Sequence, residues 1–296
     1  MVTTANVQHS DSKKRRAEAF ALFAGFLTVV LLIAGSFEFI PAWILRDPAD
    51  DIHLWHIAEL AALSALLLGG IMVALLRRPQ EKPLLAQFFV LSSLILAIGL
   101  TPFNLAGLVF LPIIGLFIAL YPDRRALFSF PRAGRVSIPL LALTVVYAIT
   151  QDARVQQEIA WQIEGGTTDV HALQLHWIGS AILIALLILA GFMAATKRPG
   201  WERLGIITGT VYIYLGAIAL IVPTYAGSWG EAGGLFAAFG GALYILITLA
   251  EMENMRRKEQ ARAAESADDN EEPFVIEAAT QSVTTSQATF VSATHK

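Results

Sequence analysis

The chain contains no cysteine. That excludes disulfides, thiolate-ligated metal clusters, thioether-linked haem and S-acylation, while leaving the compartment open. Charge is nearly as scarce: 15% of the 296 residues are Asp, Glu, Lys or Arg, against 55% hydrophobic, where soluble domains carry about a quarter charged. Also absent are a P-loop, a strand-borne glycine fingerprint, a Ser–His–Asp pattern that can be placed, and a basic aromatic surface. Nucleotide-loop chemistry and nucleic acid as a partner are therefore set aside.

What the chain does have is long apolar blocks with the charges confined between them, and a mean hydropathy of +0.59. A hydrocarbon core of ~30 Å needs about 20 helical residues to cross, and its backbone amides must be bonded internally, so such blocks read as membrane helices in a lipid bilayer. Eight can be drawn: Ala19–Leu45, Leu54–Leu76, Leu84–Leu100, Leu105–Tyr121, Val136–Thr150, Leu173–Thr196, Leu204–Pro223 and Gly234–Ala250. The fifth is the weakest, and it can extend through Gln151 to Ile163 as a helix projecting from the membrane. The basic run Lys13–Arg16 imitates a signal peptide, but the apolar block after it is too long for one, so it is read as a retained first span.

Lys and Arg set the orientation. With eight spans and a cytoplasmic N-terminus, all of the 21 basic residues except Arg46 and Arg154 fall on the cytoplasmic side, which fixes both termini inside the cell membrane by the positive-inside rule. Trp43, Trp55, Trp161, Trp177 and Trp229 then lie near the outer boundary. The chain also repeats itself: His56 precedes Arg77-Arg78-Pro79 at the same spacing as His176 precedes Lys197-Arg198-Pro199, and Leu27–Val30 recurs as Leu143–Val146. The expected fold is an all-α integral membrane protein with eight transmembrane helices in two tandem four-helix halves, N-in and C-in. Its segments are a cytoplasmic basic stretch 1–17, a first half 18–125, a second half 126–264 with a cytoplasmic helix extension, and a disordered cytoplasmic tail 265–296.

Four of the six histidines gather at the outer ends of spans two and six: His53, His56, His171 and His176. His53, His56 and Glu59 follow each other at three-residue steps and share one helix face. Imidazole and carboxylate together suit a transition metal such as Zn, Cu or Fe. His171 and His176 are roughly 140° apart around a continuous helix, so both can serve one site only if the helix begins after His171. His56 and His176, as pseudo-symmetry mates, could instead face each other as the axial ligands of a haem b near the outer face. The plainer reading is that these are interfacial histidines bonded to water or loop carbonyls. Glu38 and Glu59, the carboxylates most nearly inside apolar blocks, are proton or ion candidates, although Glu38 can equally reach headgroups.

The outer face is acidic throughout, with Asp47, Asp50, Asp152, Glu158, Glu164 and Glu231 among its residues, and such a field attracts a cationic ligand or partner. Asp51 and Asp169 stand where helix N-caps are expected. Gly233-Ala237-Gly241 and Gly205-Gly209 are spaced for close helix packing, within the bundle or between protomers. Three function classes remain: a redox or metal-handling protein with an outer His/carboxylate site, a small-solute or ion transporter, and a non-catalytic subunit of a membrane complex. Tandem four-helix halves bearing histidines resemble haem A synthase. Spans four and eight lack the histidines that its pattern requires, so its activity is not carried over.

Overall fold

The structure, a computed structural model, describes residues 3–45, 53–129 and 136–268, with 3–14, 267 and 268 described by backbone alone. Among the described residues every regular element is helical. Seven stretches are long and apolar enough to cross a bilayer: Arg15–Leu45, Leu54–Leu75, Pro83–Leu100, Ile138–Gly165, His176–Ala195, Trp201–Ile221 and Gly230–Ser266. With polar backbone satisfied inside each helix and apolar side chains left on the outside, this is a multi-pass helical membrane protein.

The first span is α1 (Thr3–Phe37), which passes into a π-helical end, Ile40–Leu45. The second is not a uniform helix: α2 (Leu54–Ala61) widens into a π-helical segment, Ala62–Gly69, before α3 (Gly70–Leu75). The chain at Gly35 lies hard against that widened turn, where an added Cβ would stand 2.7 Å from both Ala65 Cβ and Ser64 Oγ. Such π turns recur at functional sites, and His56 and Glu59 lie in the helical turns just before this one.

The next elements are α4 (Pro83–Leu100), α5 (Phe110–Leu120) and the short α6 (Arg124–Phe128). A 3-10 turn, Leu105–Val109, opens α5, capped by Asn104 Oδ1 accepting from Ala106 N at 2.9 Å. The fourth apolar block is thus a shorter helix than the seven spans. In contrast, α7 (Ile138–Gly165) continues unbroken for 28 residues. Its buried stripe, Thr144, Tyr147, Gln151, Glu158 and Gln162, keeps helical spacing while turning polar toward the C-terminal half. A buried face of that kind needs polar partners: Gln162 donates to Ala172 O and Tyr147 OH to Phe236 O, whereas Glu158 has Arg154 as an ion-pair partner and no hydrogen bond.

A one-turn helix, α8 (Val170–Leu173), precedes α9 (His176–Ala195), α10 (Trp201–Ile221) and α11 (Gly230–Asp268). α10 and α11 touch through small residues inside the bundle: a Cβ at Gly209 would meet Gly241 O at 2.6 Å, and one at Gly216 would meet Gly234 O at 2.6 Å.

The two ends of the bundle differ in character. At one end, Arg198 Nη2 donates to Ser129 O at 3.0 Å, Gln87 Nε2 donates to Leu127 O and Ser129 O at 3.0 Å, and Tyr121 OH donates to Pro79 O at 2.7 Å. Those bonds gather the loops that carry Arg77, Arg78, Lys82, Arg124, Arg125 and Lys197. Lys82 donates to Ala74 O at 2.8 Å, and burial pulls its ammonium below the usual lysine range. The opposite end holds the histidines.

Two compact units divide the chain, residues 1–248 and 249–296. In the second, Glu253 accepts from Arg257 at 2.8 Å and pairs with Arg256 at 3.2 Å. Residues 265–268 are helical, and the rest of the expected tail, 269–296, lies outside the described residues, as do Arg46, Asp47, Asp50, Asp51, Arg132 and Arg135.

Candidate metal centre at one end of the bundle

Three segments deliver imidazoles to one point. His53 is the N-cap residue of α2, His171 sits on α8, and His176 is the first residue of α9. Leu175, held at φ 62°, separates α8 from α9, so the chain turns sharply between His171 and His176. The 140° that a continuous helix would place between them is removed by this break. One ligand nitrogen from each of His53, His171 and His176 lies within 4.8 Å of the other two. Tetrahedral nitrogens at ~2.0–2.1 Å from a zinc ion are about 3.3 Å apart, so the rings would have to draw closer to hold one ion.

The supports of these rings are as specific as the rings. Asp169 caps α8, its Oδ1 accepting from His171 N at 3.3 Å and its Oδ2 from Ala172 N at 3.2 Å. The same Oδ1 lies 3.3 Å from His171 Nδ1, leaving His171 Nε2 buried with no hydrogen-bond partner. A carboxylate on one ring nitrogen with the other nitrogen open is how a metal-ligating histidine is usually held and oriented. Trp177 Nε1 donates to Asp169 Oδ2 at 2.6 Å, and with the His171 bonds it holds the Asp169 carboxyl below the usual carboxylate range. Buried Gln162 ties α8 and the start of α9 to α7, donating to Ala172 O at 2.8 Å and accepting from Ile178 N at 3.2 Å.

His56 and Glu59 form the floor beneath. His56 Nδ1 lies 3.1 Å from Glu59 Oε2, which also accepts a short bond from Ser180 Oγ. His56 Nε2 and Glu59 Oε1 are buried with no hydrogen-bond partner, although the Trp55 indole stands near the carboxyl. The His56 ring stacks on His176, centroids 4.8 Å apart and planes 24° apart. Axial haem ligands approach the iron from opposite faces of the macrocycle, and two rings in face contact leave no layer for a porphyrin between them. His56 and His176 so arranged do not fit a six-coordinate haem b. Glu38, at the exposed end of α1, joins His53, His56, Glu59 and His176 around a single cavity of about 530 Å³.

Three contributors escaped the sequence reading. Ser180 and Gly227 carry no spacing signal of their own, while Arg154 and Glu158 stand at the i,i+4 spacing of a helical ion pair without showing what that face meets. Asp169 had one: the tripeptide Asp-x-His occurs at both 51–53 and 169–171. Gly227, in the loop before α11, has φ 77°, and a Cβ there would stand 2.9 Å from His56 Cε1, 3.2 Å from Trp177 and 3.3 Å from Trp55. Only glycine lets this backbone lie on the three rings. Gly227→Ala is expected to displace His56, seen as a changed tryptophan emission spectrum, and to lower the thermal midpoint through the roughly 1–3 kcal/mol of a strained backbone site. Spectrum and midpoint like the wild type would show that the loop does not press on the site.

Comparison of the chain with protein-family models, curated proteins and solved structures finds no match. The functional reading therefore rests on the geometry.

Proposed function

We propose that the protein is a metal-handling or redox protein of the cell membrane that binds a transition-metal ion between His53, His171 and His176 at its extracytoplasmic face. The observation that carries this reading is the convergence of three imidazoles from separate segments, one of them held by Asp169 through the nitrogen that would not face the metal. Three protein nitrogens leave a coordination position for water or a substrate, as in catalytic rather than structural sites. Neutral imidazole suits Zn, Cu or Fe more than Mg or Ca.

The accompanying topology has eight spans, counting the short α5 with its 3-10 turn, both termini cytoplasmic, and two tandem four-helix halves. It is supported by the basic loops at the end away from the histidines. Glu38, Asp152, Glu164 and Glu231 near the histidine end would raise the local cation concentration. A transport reading needs a path toward the basic end, and the cavity lining stops at Leu63 and Leu96.

The test is elemental analysis of the full-length protein in mild detergent, as purified and after chelator stripping and reloading with Zn²⁺, Cu²⁺ or Fe²⁺. About one equivalent of a single metal is expected. A protein metal-free on purification, whose uptake after reloading equals that of a variant with all three histidines changed to alanine, would overturn the reading.

A further inference from the structure

The cavity at the histidine end is two-natured. One wall is polar: Glu59 Oε1 and His56 Nε2 are buried with no hydrogen-bond partner, with the Trp55 indole near the carboxyl, and Glu59 is only 4% exposed. The other wall is made of Leu60, Leu63, Leu96 and Leu100. Leu60 is 40% exposed on the outside of the bundle, so the apolar wall reaches the lipid-facing surface. Between the two walls lies Gly179, where an added Cβ would meet nothing within 4 Å. A volume of about 530 Å³ belongs to the range of ligand sites.

We propose that this cavity binds a single-chain amphiphile with a hydrogen-donating head, a long-chain alcohol or amine, its head against Glu59 and His56 and its chain along Leu60, Leu63, Leu96 and Leu100. The head is fixed by the acceptors. A hydroxyl or ammonium can donate to Glu59 Oε1, whereas an ionised carboxylate has no proton to give and would place a third carboxyl group beside those of Glu59 and Glu38. The tail is fixed by the leucines and by their continuity with the lipid-facing surface, through which a chain can enter from the bilayer. This deepens the metal-site reading and rests on it in one respect: His53 and His176, two of the three residues that would hold the metal, line the same cavity.

The experiment uses the full chain in phosphatidylcholine nanodiscs and twelve-carbon amine and alcohol probes carrying a diazirine near the chain end. Cross-links are mapped by mass spectrometry, and metal content is measured on the same samples. Labelling is expected to concentrate in residues 57–63 and 96–100. Unlabelled dodecylamine and dodecanol should compete, and dodecanoate on the order of tenfold less well. Gly179→Leu fills the space and is expected to cut the competable labelling by about tenfold while helicity and metal content persist. Should that variant lose helicity, competition on the wild type decides alone. Uniform labelling of lipid-facing helices that no competitor reduces, or a folded Gly179→Leu that labels like the wild type, overturns the proposal. Competable labelling of a metal-free protein would sink the metal reading and leave the amphiphile site standing.

Discussion

His171→Ala is expected to weaken transition-metal binding by about 10²- to 10³-fold. Four-ligand zinc sites bind with roughly 10–16 kcal/mol, or about 2.5–4 kcal/mol for each ligand, and 1.4 kcal/mol is tenfold. The ring loss leaves the bundle itself intact, because α8 is held by Gln162 on Ala172 O and by the Asp169 cap on Ala172 N rather than by the His171 imidazole. Asp169→Asn separates the two duties of that aspartate. Asparagine still caps α8 through its carbonyl oxygen, but it loses the carboxylate that orients His171. Affinity should fall by about 10–100-fold with one metal still bound at saturation. His56→Ala, removing a ring that stacks on His176 but lies outside the three-nitrogen group, should do less than either. Competitive titration against a chelator of known affinity reads all three variants. Equal affinity for wild type and His171→Ala would mean that the histidines meet for another reason.

Much of the frame was legible because membrane physics writes it in composition. Apolar blocks of bilayer length and charge confined between them point to helices without any detail of packing. The candidate site was half legible. His53, His56 and Glu59 share a helix face by spacing alone, and the structure brings His171 and His176 to them. The break that makes this geometry, Leu175 in the left-handed region, is invisible in a residue type that rarely adopts it. Glu158 shows the opposite failure. By sequence it was one acid among many on a polar face, yet it is completely buried, because α7 turns its polar half inward. Periodicity gives a face, but not what the face meets. The small-residue spacing in α10 and α11 was readable for the converse reason: glycine at four-residue steps has few uses other than bringing two helix backbones together.

That buried acid leads to the second large effect. Glu158 is 0% exposed, neither of its oxygens has a hydrogen-bond partner, and its ion-pair partner is Arg154, one turn away, with Nη1 3.6 Å from Oε1. Where Glu158 is ionised, removing Arg154 leaves it with neither water nor counter-ion, a change of up to about 3–5 kcal/mol for a fully buried pair and less here because a quarter of the Arg154 side chain is exposed. Arg154→Ala is therefore expected to lower the thermal midpoint strongly, read by circular dichroism in a fixed detergent. Arg154 Nη1 also donates to Gly227 O at 2.8 Å, and Gly227 lies on the His56, Trp55 and Trp177 rings. The same substitution thus frees the loop that presses on the site, and metal affinity should fall with stability. Glu158→Gln separates the two causes. In the double variant the buried charge is gone while the Gly227 carbonyl still lacks its donor, so stability should largely return and metal affinity should not. An Arg154→Ala protein that melts with the wild type would mean Glu158 is not charged in the fold, leaving Arg154 only its hold on the loop.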